Sequence, residues 1–276
     1  MAVAGDALAA LRVRADRLDA GRLRARAAIV AAWLLGALLV AASARNILVT
    51  DTDWSRVTAE SLARSVGRFA RVELGLLPSL VRPAVETVLM ATLGTLFGAV
   101  MALPVAWLGA TNVTPLGRAS YLLARGLMTL SRSVHEIVWA LVFVAAAGLG
   151  TLAGILAMAV RSIGFISKTV AEAIEDVDPG PVDAMRAVGA SRLQVLLFAI
   201  LPQVVPVLIG NLVFEWDVNI RRSTIMGLVG AGGLGLAMHR QMAAYEYGGV
   251  SAVVLVVLVL ILLGEVVSHH ARKALL

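Results

Sequence analysis

The chain has 276 residues and carries 24 Lys and Arg against 18 Asp and Glu, which gives a formal net charge of +6. Apolar residues make up 59% of the chain, charged residues 15%, and the mean hydropathy is +0.87. This composition excludes an ordinary soluble domain, and the absence of Cys excludes disulfides, thiolate metal sites and a Cys nucleophile. No nucleic-acid-binding motif accompanies the basic balance, so we expect no nucleic-acid partner.

Long uncharged runs predict an all-α membrane protein that crosses the bilayer several times. Most of them are near the ~20 residues that a helix needs to span the hydrocarbon core. Backbone groups in lipid must be paired within the segment, so such runs become helices. The uncharged runs are Ala27–Ala44, Thr87–Gly117, Ile137–Val160, Leu193–Phe214 and Gly248–Gly264.

Residues 1–26 are predicted to be a cytoplasmic amphipathic segment. They hold six Arg against three Asp, and their Leu residues recur at a spacing typical of a surface helix. A basic flank before the first span favours a cytoplasmic N-terminus. Residues 27–44 are then the first transmembrane helix, and we expect it to be retained although Ala42-Ser43-Ala44 resembles a signal-peptide cleavage site.

Residues 45–83 are predicted to form an extracytoplasmic loop with a helix lying in the membrane interface. Leu62, Val66, Phe69 and Val72 fall at helical spacing among polar residues. The six Arg of this segment run against an outside location, so charge bias alone does not decide its side.

The glycine-rich stretch Ala146–Thr151 decides the number of spans. Without a break there, Ile137–Val160 is one helix, the chain has five spans and the polar segment Asp183–Pro202 lies outside the cell. A break gives spans of about Ala119–Ala147 and Leu152–Ser167, because clustered Gly weakens a helix. We predict six spans, which places Asp183–Pro202 and both termini in the cytoplasm. Four charged residues then lie at membrane depth: Arg125, Arg132, Glu136 and Arg161.

The segment Asp183–Pro202 keeps a short polar helix inside an otherwise apolar chain. Pro179-Gly180-Pro181 is a turn signal, and a helix is predicted over Asp183–Val188 with its acidic first residue favoured by the helix dipole. Gly189 suits the C-terminal cap of this helix, and Ser191 suits the N-cap of the next.

This pattern resembles the EAA coupling loop of ABC importer permeases. Asp183 stands where that loop has Glu and Met185 where it has its second Ala, while Gly189 and Leu201-Pro202 fit. Further motifs are together similar to the phosphonate ABC transporter permeases, over residues 84–270. They are Gly164-Phe165, Glu172-Ala173-Ile174-Glu175, Asp178-Pro179-Gly180-Pro181-Val182, Leu201-Pro202-Gln203, Phe214-Glu215-x-x-x-Asn219-x-Arg221 and the run Gly227–Gly233. The methionine permeases share the loop and the glycine-rich run, so a methionine- or amino-acid-type permease is the alternative.

The resemblance implies a six-span permease with a type I ABC importer (MetI-like) core in the bacterial inner membrane. Residues 84–270 would be the transmembrane domain with its coupling loop at 172–202, and residues 271–276 a cytoplasmic tail. Two copies would pair as a homodimer, bind two separate ABC ATPase subunits and receive substrate from an extracytoplasmic phosphonate-type binding protein. ATP and Mg²⁺ would be bound by the ATPase, since this chain has no G-x-x-x-x-G-K-[ST] loop. We expect no cofactor, metal site or catalytic residue in this chain.

Two groups of residues are predicted to carry the function. The ATPase-coupling group is Asp183, Ala184, Met185, Arg186, Ala187, Gly189 and Pro202. A phosphorus oxyanion on its path needs compensating charge, and the guanidinium of Arg suits it because it donates two parallel hydrogen bonds. The substrate-path group is Arg221, Arg222, Arg161, Arg132, Glu136 and Asn219.

Alternatives to these roles stay open. Arg221 and Arg222 are equally consistent with interfacial cations whose stems lie in the apolar layer, and Glu215 and Asp217 are possible partners of Arg221. Arg132 and Arg161 are equally consistent with a structural ion pair to Glu136. Gly230–Gly235 satisfies G-x-G-x-x-G, but no strand precedes it, so we predict a glycine-rich turn or a re-entrant segment near the final span.

A function of a different class is a membrane enzyme acting on a lipid phosphate. Five acids cluster in the sequence without a His or a nucleophile beside them: Glu172, Glu175, Asp176, Asp178 and Asp183. This pattern favours the transport reading over the enzyme.

Overall fold

The computed structural model describes residues 26–56 and 58–275, and these divide into two compact units between Ser65 and Val66. The predicted cytoplasmic segment 1–26 therefore lies outside the described residues, except for Arg26. No strand occurs in the described ranges, in agreement with the all-α prediction.

The first unit contains one long helix, α1 (Arg26–Val49), which is long and apolar enough to cross a membrane. It covers the predicted first span, 27–44, and its end runs into a π-helical turn, Asn46–Asp51. A 3₁₀ turn, Trp54–Arg56, follows. The next helix is α2 (Ala59–Phe69), which includes the boundary between the two units. It is amphipathic and has no buried residue, and it lies in the segment where the sequence predicts an interfacial helix.

The second unit is a bundle of membrane-length helices with shorter helices at its ends. A 3₁₀ turn, Leu74–Leu76, leads into the bundle, and a π-helical turn, Leu196–Ile200, joins α8 to α9. The helices are α3 (Leu77–Gly109), α4 (Arg118–Ser133), α5 (Glu136–Ala147), α6 (Thr151–Glu175), α7 (Pro179–Ala187), α8 (Arg192–Val195), α9 (Leu201–Gly227), α10 (Gly233–Ala243) and α11 (Tyr247–Leu275).

One hydrogen bond at each end of this bundle marks where its helices are connected. At one end, which we name the coupling end (residues 110–117 and 176–191), the side chain of Asn112 donates to the carbonyl of Ile174 at 2.7 Å. At the opposite end, which we name the glycine end (residues 148–150 and 228–246), the amide of Gly150 donates to the carbonyl of Gly230 at 3.0 Å. α6 and α9 each run between these two ends, and α3 ends at the coupling end.

The predicted span Ala119–Ala147 is not one helix. It is divided into α4 and α5, whose axes differ by 92° across Val134 and His135. Both residues have extended backbones, and the ring of His135 accepts a hydrogen bond from the amide of Ile137, which caps α5. The sequence contains no Gly or Pro at this break, which is why the break was not predicted.

The glycine break after α5 agrees with the prediction. Gly148 and Gly150 have φ angles of 87° and 148°, which favour Gly, and they separate α5 from α6. α4 begins at the coupling end and α5 ends at the glycine end, so the bent pair extends between the two ends. Among the described residues five helices are long and apolar enough to cross a membrane, and counting the bent pair as one span gives the predicted six.

Small residues set the contact between α3 and α6. A Cβ at Gly94 would lie 2.7 Å from the Cβ of Met158, and one at Gly98 would lie 2.5 Å from the Cβ of Ser162. The Gly94-x-x-x-Gly98 motif therefore serves packing within the chain, where small residues let two membrane helices approach closely.

Candidate functional site

The predicted coupling helix is present, and it is longer than the sequence indicated. α7 begins at Pro179, four residues before Asp183, because Asp178 caps it by accepting a hydrogen bond from the amide of Gly180 at 3.0 Å. Asp183 therefore lies in the middle of α7, where it pairs with Arg186 at 3.5 Å on the exposed surface.

Gly189 ends α7 as predicted. Its φ of 79° is left-handed, its amide donates to the carbonyl of Arg186 at 3.0 Å, and the amide of Ala190 donates to that of Met185 at 3.1 Å. These two bonds form a Schellman motif. Ser191 then caps α8 in a capping box with Gln194, so the turn between the two helices is defined on both sides.

One side of α7 is anchored in the bundle and the other is free. Val182 is buried and Met185 packs against the same core cluster of α6 and α9. The exposed members of the predicted coupling group are Asp183, Ala184, Arg186, Ala187, Gly189 and Pro202. Val188, at the tip of the turn, is 80% exposed, so the coupling end presents a small apolar surface flanked by charges.

Polar contacts hold the start of α7 and the adjacent end of α6 in place. The amide of Asp178 donates to the side-chain oxygen of Gln203 at 2.9 Å, which ties the start of α7 to α9. Glu175, the last residue of α6, accepts from Arg125 and from the amide of Thr111, both at 2.8 Å. The start of α7 is therefore tied to α9, and the adjacent end of α6 is tied to α4.

Between α4 and α6 the bundle contains a cationic cavity of about 450 Å³. Its lining residues, which define the name cationic cavity below, are Arg125, Met128, Thr129, Arg132, Ser133, Arg161 and Lys168. Two of the four cations are neutralised by nearby carboxylates, Arg125 by Glu175 at 2.8 Å and Lys168 by Glu172 at 3.5 Å.

The other two cations of the cavity are the predicted Arg132 and Arg161. Within the described part of the chain Arg132 has no carboxylate partner, and its stem packs over Gly164, where a Cβ would lie 2.9 Å from its Cγ. Arg161 faces Glu136 at 3.8 Å, and its Nη1 is buried without a hydrogen-bond partner among those residues. The cavity thus keeps an excess of positive charge and donors.

Glu136 and Arg222 belong to a neighbouring set of side chains, which we name the buried network (Glu136, Ser162, Glu215, Asn219 and Arg222). Arg222 pairs with Glu215 at 3.0 Å and with Glu136 at 3.4 Å. Ser162 donates to Glu215 at 3.0 Å, and Asn219 donates to Ser162 at the same distance. Glu215 is 1% exposed, and Ser162 and Asn219 are fully buried.

The structure separates two Arg residues that the sequence placed side by side. Arg222 enters the buried network, whereas Arg221 pairs with Asp217 four residues earlier on α9. Arg221 does not line the cationic cavity. Of the two acids considered as partners for Arg221, Asp217 takes that role and Glu215 binds Arg222 instead.

Some residues of the site were not in the predicted group. Arg125, Thr129 and Arg132 lie four and three residues apart, and this spacing places them on one face of α4. Arg125 and Arg132 are thus seven residues apart on α4, and Arg161 and Lys168 are seven residues apart on α6. The repeated interval was the available signal for the cavity.

The glycine-rich run is a buried turn. The amide of Leu234, which follows it, donates to the hydroxyl of Thr87 at 2.9 Å, and a Cβ at Gly227 would lie 2.5 Å from the carbonyl oxygen of Gly232. Its glycines allow this compact crossing from α9 to α10 at the glycine end, as the predicted turn requires.

Known proteins resemble this chain over most of its length. The chain is 42% identical to the phosphite transport system permease protein PtxC of Stutzerimonas stutzeri over 195 residues, which cover 71% of this chain and 70% of that protein. It is 37% identical to the phosphate-import permease protein PhnE of Mycolicibacterium smegmatis over 282 residues. That alignment covers 99% of this chain and 52% of the relative, so the chain spans about half of that protein's length.

A solved structure shares the fold. The inward-facing MetNI methionine ABC transporter matches with a TM-score of 0.65 and 24% sequence identity, over 74% of this chain and 100% of the matched chain. The family described as the inner membrane component of binding-protein-dependent transport systems matches residues 94–275, which include α4 to α10 and the coupling segment. The chain belongs to this family and is a multi-pass permease of an ABC importer.

Proposed function

We propose that this permease imports phosphorus oxyanions, namely phosphonates, phosphite or phosphate. The relatives named for phosphite and phosphate transport are 42% and 37% identical to it, whereas a probable D-methionine transport system permease protein, MetI of Pasteurella multocida, is 30% identical over 68% of this chain. This difference favours a phosphorus oxyanion over methionine, which we keep as the alternative substrate.

The cationic cavity is the observation that carries the proposal. Arg132 and Arg161 supply planar guanidinium groups, whose paired N–H donors match two oxygens of a phosphoryl group. Thr129 and Ser133 add hydroxyls beside them. An ionisable residue at membrane depth is unfavourable unless it faces a wet cavity or a partner, and here the cations face the cavity.

We propose that the exposed side of α7 is the contact for the ATPase. An ABC importer permease works with ATPase subunits and a substrate-binding protein, and ATP and Mg²⁺ would be held by the ATPase. The apolar tip at Val188, flanked by Asp183 and Arg186, is a surface of the right kind for such a partner. Closure of the ATPases would move α7 and, through Glu175 and Gln203, the helices around the cavity.

We also propose that two copies of the chain form a homodimer in the bacterial inner membrane. Both termini and the coupling end would be cytoplasmic, which six spans require and the basic residues near the C-terminus favour. Neither arrangement involves catalysis in this chain, and three of the five clustered acids make contacts that hold the fold. Glu172 and Glu175 pair with Lys168 and Arg125, and Asp178 caps α7.

Reconstitution tests the substrate. The permease is incorporated into vesicles with its ATPase and binding protein, and uptake is measured for phosphate, phosphite, methylphosphonate and methionine. We expect ATP-dependent uptake of at least one phosphorus oxyanion and none of methionine. Uptake of methionine alone would overturn the proposal in favour of the alternative.

Substitution of Gly189 tests the coupling role of α7. Gly189→Val places a β-branched residue at a left-handed position, which is unfavourable by about 1–2 kcal/mol and should redirect the end of α7. We expect ATP hydrolysis to persist while uptake per ATP falls several-fold. Gly189→Asn is the matched control, because Asn tolerates this backbone conformation, and it should keep most of the uptake. Normal uptake per ATP in Gly189→Val, at equal protein in the membrane, would contradict the role.

A further inference from the structure

We infer that Glu136 is a built-in counter-ion that competes with the transported anion for Arg161 and so promotes release of the anion. The inference rests on the proposed function, because it assigns regulation to the same cationic cavity. Glu136 does not line the cavity, and it acts there only through Arg161.

Glu136 is held between two guanidinium groups at the bend between α4 and α5. Its carboxylate lies 3.4 Å from Nε of Arg222 and 3.8 Å from Nε of Arg161. Arg222 has a closer carboxylate in Glu215, at 3.0 Å, so it does not depend on Glu136 for its charge balance. Arg161 depends on Glu136, since it has no other acidic partner within the residues that the structure covers.

The pair between Arg161 and Glu136 is loose. The 3.8 Å between Nε of Arg161 and the carboxylate oxygen of Glu136 exceeds hydrogen-bond distance, so the two groups attract each other electrostatically without a hydrogen bond. The buried Nη1 of Arg161 has no acceptor among the described atoms. If the guanidinium of Arg161 turns towards the cavity, a tetrahedral oxyanion there would supply that acceptor and accept two parallel hydrogen bonds, and this exchange needs no break of a tight ion pair.

This competition has a consequence for transport. A permeation site has to bind strongly enough to admit the ion and weakly enough to let it go. With several cations around the cavity, a bound dianion would dissociate slowly. The carboxylate of Glu136 attracts Arg161 away from the anion and so speeds its dissociation. Glu136 therefore lowers the affinity of the site and raises the rate of release.

The test compares Glu136→Gln with the wild type in the reconstituted complex. Binding of inorganic phosphate is followed through the rise in unfolding temperature with phosphate concentration at constant ionic strength, without the binding protein. We expect the Kd for phosphate to fall about tenfold in Glu136→Gln, from removal of one nearby negative charge, and the turnover number for uptake to fall with it. A residue that only holds the fold would weaken binding when replaced, so a gain in affinity is specific to the counter-ion role.

Two further variants make the result decisive. Glu86→Gln is the control, since it removes a carboxylate that pairs with Arg82 at 3.1 Å outside the cavity, and it should leave the Kd unchanged. Glu136→Asp keeps the charge with a shorter reach, so its Kd should lie between the wild type and Glu136→Gln. A Kd for phosphate in Glu136→Gln that equals or exceeds the wild-type value overturns the inference. If Glu136→Gln does not fold, the same result in Glu136→Asp overturns it. Absence of phosphorus oxyanion uptake by the wild type overturns the proposed function instead.

Discussion

The cationic cavity and the buried network are neighbours that use the same residue types in different ways. They meet on α6, where Arg161 lines the cavity and the next residue, Ser162, belongs to the network. In the network every charged group has an oppositely charged partner, with Arg222 between Glu136 and Glu215. In the cavity, cations outnumber the carboxylates that reach them in the described structure.

The difference shows how charge is used inside a membrane protein. A buried carboxylate whose partners are all protein groups contributes to one arrangement of helices, and losing a partner destabilises that arrangement strongly. A cation that faces a cavity keeps its donors available for a ligand. Glu215, 1% exposed, is of the first kind, and Arg132 is of the second.

The largest effect is expected from Glu215→Ala. This change leaves Ser162 without its acceptor and weakens the charge balance of Arg222, so it should destabilise the folded protein by about 3–5 kcal/mol. The measurement is the unfolding temperature in lipid nanodiscs, together with the amount of protein in the membrane. Glu215→Gln, which keeps a side-chain oxygen for Ser162, should be less damaging. A wild-type unfolding temperature for Glu215→Ala would contradict the structural role of the network.

A smaller effect, on transport alone, is expected from Arg132→Gln. Loss of a charge-assisted hydrogen bond to the anion, about 1.5–3 kcal/mol, should lower kcat/KM for oxyanion uptake about 10- to 100-fold. Because Arg132 is exposed to the cavity, the unfolding temperature should change little. Arg118→Gln, at the start of the same helix and outside the cavity, is the matched control. Uptake that stays normal in Arg132→Gln would remove this residue from the path.

The smallest effect is expected from Arg221→Gln. The side chain of Arg221 is 42% exposed, pairs with Asp217 on its own helix and lies outside the cavity lining. Uptake at equal protein in the membrane should stay within about twofold of the wild type, because Arg221 does not line the cavity. Loss of the partner of the buried Asp217 should instead lower the unfolding temperature. A tenfold loss of uptake would mean that the path includes this side of α9 and would weaken the contrast between the two regions.

Local features of the fold were predictable from the sequence because the interactions that produce them span only a few residues. The break at Gly148 and Gly150, the Gly189 cap and the Ser191 cap all follow from backbone preferences and nearby hydrogen bonds. The bend at Val134 and His135 escaped prediction. A His cap is a weak signal, and the carboxylate that fixes the bend, on Glu136, binds residues on α6 and α9.

The sequence by itself determined that this chain is helical and membrane-embedded, and that a polar helix interrupts it near residues 183–188, because hydropathy and capping act through chain neighbours. Its start at Pro179 came from the structure. Only the tertiary structure decided which Arg belongs to the network and which faces the cavity. Arg161 and Arg222 lie 61 residues apart in the sequence, yet the carboxylate of Glu136 lies between them. The packing of α4, α6 and α9 sets those distances, and the distances determine whether a charge stabilises the fold or stays available for an anion.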